Sequence, residues 1–332
     1  MQAITNFALS HRSYATAGAL VTGLLLFHLS RRKPLRQSFI PPNQERALIL
    51  GGTSGVGQSI ALQYAQRGVR VCVVGRRQAL VDDVAAECGR LGDKRALGVC
   101  ADFTDVDSML RVRDAIEKEW GGLDTLVIAA GVSALLPLMD VAQVPSVTGR
   151  HPANTKGPSK SGIEQASNIA TEALRGNYIG PLISAVTFIP LLQQTSRSPS
   201  ILLISSLAAV IPAPTRTLYA STKSASLLLF QSLSIEHPLI AFTHVLPSTI
   251  EGSFRASAVD AVVGGGTPNM REKDPNRYGL KKGDVARRCI AAVDSGKKSV
   301  FIPASMRIAV WVYWVFPGVI EWFARKKYKF EV

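Results

Sequence analysis

The sequence predicts an α/β fold built on a doubly wound parallel sheet of about seven strands. Two observations favour this class: short apolar runs alternate with helical patterns along most of the chain, and the first run enters a glycine-rich turn. Helices between successive strands make a sheet parallel and cover both its faces, and ligands bind at the carboxyl ends of the strands. We predict strands near residues 46–50, 70–74, 96–100, 124–129, 200–205, 240–246 and 299–303.

The turn after the first predicted strand has the glycine spacing of a Rossmann-like dinucleotide-binding unit. Gly51 permits a tight turn, Gly55 lets the backbone approach a pyrophosphate, and Gly57 lets the following helix pack on the strand. The amino terminus of that helix then faces the phosphates. Three glycines alone can make a plain turn, but here an apolar strand precedes them and a helical pattern follows them.

The end of the second strand distinguishes between the two nicotinamide dinucleotides. An NAD-binding chain carries Asp or Glu roughly 20 residues beyond the glycine turn, where the carboxylate holds the ribose 2′-hydroxyl. This chain has Arg76 and Arg77 there. A guanidinium pairs with a 2′-phosphate that a carboxylate would repel, so the sequence predicts NADP(H). The alternative is that both arginines belong to a solvated loop.

Ser206, Tyr219 and Lys223 form the constellation that predicts hydride chemistry. Tyr219 and Lys223 are four residues apart, so on a helix they share a face. An ammonium about 4 Å from a phenol would lower the phenol pKa by roughly three units from about 10. We therefore expect Lys223 to make Tyr219 a usable acid. An isolated Tyr-x-x-x-Lys is more often part of an ordinary amphipathic helix, and the glycine turn reverses that preference.

Together these motifs resemble the short-chain dehydrogenase/reductase family over about residues 45 to 303. The resemblance implies that Asn177 is a fourth catalytic residue, which orders a water that relays protons through Lys223, and that Lys223 also holds the nicotinamide ribose. It implies cofactor contacts from Gly51, Thr53, Ser54, Gly55, Val56, Gly57, Asp102, Gly131, Tyr219, Lys223, Pro247 and Ile250, beside Arg76 and Arg77.

Four positions qualify the resemblance. Asp102 matches the family residue that caps the adenine ring, but it could equally be a turn or N-cap residue before the next helix. Leu50 replaces a threonine, Ile128-Ala-Ala-Gly131 replaces Asn-Asn-Ala-Gly, and Pro247-Ser248 replaces Pro-Gly. We expect less local rigidity after the fourth strand. The nicotinamide end of the site follows the family pattern least.

The predicted reaction is the reduction of a ketone or the reverse oxidation of a secondary alcohol. Tyr219 gives its proton to the carbonyl oxygen while Ser206 hydrogen-bonds that oxygen. The substrate class is a lipophilic small molecule, such as a sterol, a retinoid, a keto-sphingoid base or another acyl lipid. The alternative function is a catalytically weak NADP-binding scaffold or sensor that retains the fold.

Composition excludes several other classes of protein. The four cysteines have no metal-binding spacing and the five histidines do not cluster, so we expect buried free thiols and no metal site. The net charge of +14 is concentrated at the two ends: residues 1–46 contribute +5 and residues 305–332 contribute +3. With no recognisable nucleic-acid fold, anionic membrane lipid is the expected counterpart and nucleic acid is not. A homodimer is left open.

The N-terminal segment predicts a membrane anchor over residues 1–36. Ala15 to Leu29 is an apolar run followed directly by basic residues, although a spanning helix needs about 20 residues and this run is marginal. A signal peptide or an organellar targeting segment is the competing interpretation. Because positive charge stays on the cytosolic side, we expect the catalytic domain, residues 37–304, to face the cytosol from the endoplasmic reticulum or a lipid droplet, with a mitochondrial membrane as the alternative.

The C-terminal segment, residues 305–332, predicts an amphipathic aromatic membrane contact. Tryptophan and tyrosine favour the membrane interface, whereas Pro317 and Glu321 disfavour a clean span. The alternative is a helix packed on the core or on another subunit.

Residues 144–162 are rich in Pro, Gly, Ser and basic residues. They form either a loop at the rim of the substrate mouth or a disordered insert without a role.

Overall fold

Seven parallel strands form the centre of the molecule. The computed structural model describes residues 22–23, 35–92, 96–144, 157–261, 263, 274–328 and 330. The strands are β1 Arg46–Leu50, β2 Arg70–Gly75, β3 Leu97–Cys100, β4 Thr125–Ile128, β5 Ser200–Ile204, β6 Ala241–Pro247 and β7 Ser299–Ile302. Their order in the sheet is β3-β2-β1-β4-β5-β6-β7, with every neighbouring pair parallel. The predicted doubly wound sheet is confirmed, and each strand ends within one residue of its predicted bounds.

Helices connect the strands and cover the sheet. They are α1 Gly55–Gln66, α2 Gln78–Gly92, α3 Val106–Trp120, α4 Leu138–Val141, α5 Lys160–Leu174, α6 Gly180–Thr195, α7 Thr217–Glu236, α8 Pro275–Tyr278, α9 Lys282–Asp294, α10 Met306–Val315 and α11 Pro317–Tyr328. A single π-helical turn, Arg175–Ile179, joins α5 to α6 without a break. Side chains of α3, α6 and α7 pack on one face of the sheet, and those of α1, α2 and α9 pack on the other.

The periodicity of β1 explains why the strands read as continuous apolar runs. Leu48 and Leu50 belong to the hydrophobic cluster on one face of the sheet, while Ala47 and Ile49 belong to the cluster on the other. Successive side chains of a strand point to opposite faces, and here both faces are covered, so all four positions from Ala47 to Leu50 are apolar. All four side chains are fully buried.

The unit that contains the sheet begins at Arg36. The chain divides into two compact units, Met1–Leu35 and Arg36–Val332. Arg36 is buried, forms an ion pair with the buried Glu45, and donates to the backbone oxygens of Ser198 and Asp124. Arg36 therefore contributes to the core of the second unit and not to a lipid-facing basic flank. Apart from Thr22, Gly23, Leu35 and Arg36, the predicted N-terminal anchor lies outside the described residues, and the division into three segments stays a prediction.

The C-terminal segment forms two helices joined at one residue, which we call the C-terminal hairpin. Helices α10 and α11 are separated at Phe316, next to Pro317, where a proline ring cannot continue the preceding helix. Among the described residues, no helix is both long and apolar enough to cross a bilayer. Of the predicted insert at 144–162, residues 145–156 lie outside the described residues, and α5 already begins at Lys160.

Candidate active site

The glycine turn joins β1 to α1 at the carboxyl edge of the sheet. Gly51 and Gly55 have φ angles of 81° and 57°, which favour glycine. A Cβ on Gly57 would lie 2.2 Å from the Gly51 carbonyl oxygen. Gly57 therefore lets α1 pack on the turn itself and on Ala129, whereas the sequence indicated packing on the strand. A Cβ on Gly55 would meet no atom within 4 Å. Open space therefore lies beside the amino terminus of α1.

That amino terminus suits an anionic group. Ser54 is the N-cap residue of α1, but its side chain makes no capping hydrogen bond. The first N–H groups of a helix have no partner within the helix and carry a partial positive charge. Backbone N–H groups from this turn, between Thr53 and Gly57, can accordingly receive phosphate oxygens.

Arg76 and Arg77 lie next to the same turn. Thr53 packs directly on Gly75, since a Cβ on Gly75 would be 2.6 Å from the Thr53 methyl carbon. This contact brings the end of β2 against the glycine turn. Both arginine side chains are exposed, and neither forms an ion pair with any carboxylate of the described residues. Their guanidinium groups can therefore meet a phosphate at the edge of the site.

Ser206, Tyr219 and Lys223 meet where β5 ends. Ser206 follows β5, and Tyr219 and Lys223 lie one turn apart on α7 with nearly all of their surface buried. The Ser206 hydroxyl lies near enough to the Tyr219 hydroxyl to lower the pKa of the phenol. Lys223 Nζ donates to the carbonyl oxygen of Ile204, the last residue of β5, at 3.1 Å. The three predicted residues thus share one location.

Asn177, on the π-helical turn between β4 and β5, completes this group. Its Nδ2 donates to Val132 O at 3.0 Å and to Thr222 Oγ1 at 3.1 Å, and its Oδ1 accepts from Val132 N at 3.0 Å. A Cβ on Gly131 would lie 2.8 Å from Asn177 Oδ1 and 3.3 Å from Lys223 Nζ. Both amide hydrogens are used, and Oδ1 keeps one lone pair beside Lys223. That lone pair is where the predicted water could bind.

The electrostatics of Tyr219 differ from the expectation. Burial raises the pKa of Tyr219, and the hydrogen bond from Ser206 and the charge of Arg216 act in the opposite direction. The Arg216 Cζ lies 5.8 Å from the centroid of the Tyr219 ring. Burial lowers the pKa of Lys223 to about 8. The prediction that Lys223 is the main influence on the Tyr219 pKa was wrong, because the causes of the shift are burial, Ser206 and Arg216.

The remaining predicted cofactor residues line the same edge. Pro247 ends β6, and Ile250 pairs with Leu280 in an isolated bridge just beyond it. Asp102 Oδ1 accepts from the backbone N and the hydroxyl of Thr104, both at 2.9 Å, so Asp102 has the turn role that the sequence left open. Asp105, and not Asp102, is the N-cap of α3. A contact of Asp102 with adenine stays a prediction.

Sequence reasoning missed three residues at this site. Arg216 is one, and Phe254 is a second, with its ring edge-on to Tyr219 at a centroid distance of 6.1 Å. The third is Asp260, which is fully buried and accepts from Leu135 N at 2.6 Å and Leu136 N at 2.8 Å. Arg216 could have been found from its place three residues before Tyr219. The sequence carries no comparable signal for Phe254 or Asp260, whose partners are distant in the chain.

Comparison with known proteins agrees with this geometry. The sequence profile of the short chain dehydrogenases matches residues 45–261. The 11-beta-hydroxysteroid dehydrogenase A of Sesamum indicum is 26% identical over 287 residues, covering 85% of this chain and 74% of that protein. The 11-beta-hydroxysteroid dehydrogenase-like 4A of Arabidopsis thaliana is 24% identical over 283 residues, covering 84% of this chain and 83% of that protein.

Solved structures share the fold. A short chain dehydrogenase/reductase from Burkholderia phymatum in complex with NAD superposes with a TM-score of 0.66 at 16% identity, covering 83% of this chain and 94% of that one. An alcohol dehydrogenase from Thermococcus sibiricus complexed with 5-hydroxy-NADP gives a TM-score of 0.60 at 19% identity, covering 77% and 94%. Since the profile match contains the glycine turn and all four clustered polar residues, this chain belongs to the short chain dehydrogenase family and is an oxidoreductase.

Proposed function

We propose that this protein is an NADP(H)-dependent oxidoreductase that interconverts a ketone and a secondary alcohol on a lipophilic substrate. The observation that carries the proposal is the placement of Ser206 beside the buried Tyr219, with the buried Lys223 amine one helical turn away. This group lies at the same sheet edge as the glycine turn. A proton donor and a nucleotide site therefore face a common cleft, as hydride transfer to a carbonyl requires.

Residues on both sides of the switch point would hold the cofactor. The turn from Gly51 to Gly57 would receive the pyrophosphate, and Gly131 and Lys223 would hold the nicotinamide half. NADP(H), when bound, supplies hydride in the reduction or accepts it in the oxidation. Arg76, exposed beside the turn, would pair with the 2′-phosphate. The cofactor preference rests on Arg76 and Arg77.

Residues of this chain hold the proton and donate it to the substrate. Because burial raises the pKa of Tyr219, its phenol is protonated at neutral pH and is ready to donate to a carbonyl oxygen. Ser206 holds the same oxygen and, as the proton leaves, stabilises the charge that develops. Arg216 favours the phenolate, and we assign the same role to Lys223 when its amine is charged. Asn177 holds the connection between β4 and α7 in place and offers a lone pair to a water next to Lys223.

A lipophilic substrate fits what surrounds the site. The two plant relatives carry the name of hydroxysteroid dehydrogenases, and Phe254 presents an aromatic edge to the catalytic phenol. Sterols, retinoids, keto-sphingoid bases and other acyl lipids remain the candidate substrates.

Membrane association is part of the proposal. The C-terminal hairpin exposes an aromatic face, which we define as Trp311, Trp314, Phe316, Trp322 and Phe323, each with 56–76% of its surface accessible. Arg325, Lys326 and Lys327 follow in the last turn of α11. Aromatic and basic side chains together favour the interface of an anionic bilayer. We place the protein on the cytosolic surface of the endoplasmic reticulum or a lipid droplet, with a mitochondrial membrane as the alternative.

We also propose a second copy of this chain as a partner. Val186 on α6 and Leu228 and Ile235 on α7 are 64–80% exposed, and exposed apolar side chains on neighbouring helices suit an interface between identical subunits. Sedimentation at increasing protein concentration would detect the dimer. A monomer at every concentration would remove this part of the proposal.

The decisive experiment follows NADPH absorbance with a panel of lipid ketones. We expect oxidation of NADPH with at least one ketone of the panel, and a loss of at least about a hundredfold in kcat for Tyr219→Phe, the usual contribution of a positioned acid. Lys223→Ala serves as the inactive control. Tyr219→Phe with near wild-type turnover would refute the assigned acid. NADPH binding without turnover of any ketone would favour the scaffold function instead.

A further inference from the structure

A cavity lies between the C-terminal hairpin and the loop that joins the catalytic residues. Its volume is about 240 Å³. One wall is formed by Pro212 and Pro214, and the other by Tyr313 on α10 and by Ile320 and Ala324 on α11. Pockets for whole drug-sized ligands measure about 300–1,000 Å³. This cavity is therefore the size of a subsite for part of a molecule.

The lining of the cavity favours an uncharged, apolar occupant. Its two ionisable residues, Glu321 and Arg325, are paired with each other at 3.4 Å on the same helix. The charge of each residue compensates that of the other, so neither favours a charged ligand. The other lining groups are proline rings, aliphatic carbons and one phenol. A hydrocarbon chain can contact such walls without leaving any polar group of the ligand unsatisfied.

The cavity and the catalytic residues share one segment of the chain. Pro212 and Pro214 lie in the segment that runs from Ser206 to Tyr219, so both ends of this segment hold the reacting oxygen. Proline fixes its own φ angle, and the buried Thr215 has a φ of 67°, so the segment has little freedom to rearrange. A molecule whose carbonyl is at Tyr219 could therefore extend along a preformed wall.

We propose that this cavity binds the alkyl chain of the substrate, and that the protein acts on ketones or alcohols of long-chain lipids. This inference rests on the proposed function and narrows its substrate class. The aromatic face on the outside of the same hairpin would hold the cavity at the bilayer, where such a chain resides. The hairpin thus has two roles, with lipid on its outer side and the substrate chain beneath it.

A series of methyl ketones of increasing chain length tests the proposal. In the full chain with NADPH, we expect kcat/KM to rise by up to about fourfold per added methylene, the equivalent of about 0.8 kcal/mol for each buried CH₂, and then to level off once the cavity is filled. Ala324→Trp should fill the cavity and lower the ratio of long-chain to short-chain kcat/KM at least tenfold. Ile320→Ala should enlarge the cavity and move the plateau to longer chains.

A matched substitution controls for added bulk on the hairpin. Val319 lies on the same helix, is 47% exposed and does not line the cavity, so Val319→Trp should keep the wild-type chain-length profile. Thermal melting of all variants checks folding. A flat profile in the wild type, or the same change in Val319→Trp as in Ala324→Trp, would overturn the proposal.

A labelling experiment separates the cavity from the catalytic proposal. A sixteen-carbon alcohol with a photoreactive diazirine at its chain end should label residues 212–214 and 320–324. Labelling with no ketone reduced by any form of the protein would retain the subsite and reject the proposed function. A phosphatidylcholine with a diazirine-bearing acyl chain tests the other source of hydrocarbon. Labelling by the phospholipid and not by the alcohol would show a bilayer lipid site and overturn the inference.

Discussion

The pKa values of Tyr219 and Lys223 depend more on burial than on ion pairing. Lys223 and Tyr219 are both almost fully enclosed, and burial shifts the pKa of each toward its neutral form. Lys223 keeps one hydrogen bond, to the carbonyl of Ile204. A positively charged amine in such surroundings reduces stability, and a functional requirement is the usual reason for keeping one.

Replacing Lys223 with Met should therefore stabilise the fold while it abolishes activity. Below about pH 8 the folded chain carries the buried charge, so the cost is complete there. Between about pH 8 and 10.5 the folded amine is neutral while the unfolded one is still charged, so wild-type stability rises with pH. We expect Lys223→Met to gain up to about 3 kcal/mol at pH 7 and to lose this advantage across that window.

Denaturant unfolding of both proteins at several pH values measures this difference. Lys297→Met, at an exposed position, controls for the loss of a lysine elsewhere and should change stability little. An advantage for Lys223→Met that stays constant from pH 7 to 10.5, or no advantage at all, would contradict the effect assigned to burial.

Arg76 should determine the cofactor preference. Arg76→Asp replaces a partner for the 2′-phosphate with a carboxylate that repels it, and the new carboxylate can accept from a ribose hydroxyl. We expect the ratio of kcat/KM for NADPH over NADH to fall at least tenfold, since hydrogen bonds to charged groups contribute about 1.5–3 kcal/mol. Arg90→Asp, an equal charge change on the exposed side of α2, should leave the ratio within about twofold. An unchanged preference in Arg76→Asp would assign both arginines to a solvated loop.

At the scale of the elements, the turn between β1 and α1 depends on close backbone approach. Gly57→Ala would place a methyl group 2.2 Å from a backbone oxygen, so the helix or the turn must move. We expect a loss of about 1–3 kcal/mol in stability and at least tenfold weaker dinucleotide binding. Gly283→Ala in α9, where a Cβ meets no atom within 4 Å, should be neutral or stabilising. Calorimetry and dinucleotide titration of both variants measure the contrast; equal behaviour would refute the packing role.

Asp260 joins two connections that the sheet itself does not link. Its carboxylate accepts from Leu135 N and Leu136 N, and the bridge between Ser133 and Ala258 lies beside it. Asp260→Ala would leave two backbone donors without their partner. We expect a loss of about 1–3 kcal/mol by chemical denaturation, and a higher KM because Phe254 belongs to the segment that Asp260 holds. Asp83→Ala, at an exposed position on α2, is the control. Stability equal to that of the control would mean that the two bonds contribute little.

At the scale of the whole molecule, net positive charge is concentrated at both ends of the sequence, and exposed aromatic side chains are concentrated in the C-terminal hairpin. We expect Trp311→Ser combined with Trp314→Ser to reduce flotation with vesicles of phosphatidylcholine and phosphatidylserine at least tenfold, because the two most exposed tryptophans supply apolar area to the interface. Raised salt should weaken the remaining binding. Val106→Ser combined with Ile163→Ser removes exposed apolar groups elsewhere and should bind like wild type.

This measurement needs two forms of the protein. The full chain reports on both ends together, and a form without residues 1–34 isolates the hairpin while it keeps Arg36. Deletion through Arg36 would leave the buried Glu45 without its cation, at a cost of about 3–5 kcal/mol. Undiminished flotation of the tryptophan variant in the shorter form would remove the hairpin from the proposed membrane contact.

The sequence alone determined the order and class of the elements and the approximate composition of the site. Apolar runs of strand length, helical patterns between them and a glycine turn are local signals, because each depends on neighbours within a few positions of the chain. Ser206, Tyr219 and Lys223 could be named for the same reason. Their motif combines short spacing with a place next to predicted elements.

Only the tertiary structure decided which distant groups meet. Contacts of Asp260 with Leu135, of Phe254 with Tyr219 and of Arg36 with Glu45 join segments that no local pattern connects, and the cavity exists because the hairpin folds back on the loop at Pro212. The tertiary structure likewise decided the direction in which the pKa of Tyr219 is shifted. Desolvation depends on every atom packed around a group, whereas spacing in the chain reports only on one neighbour.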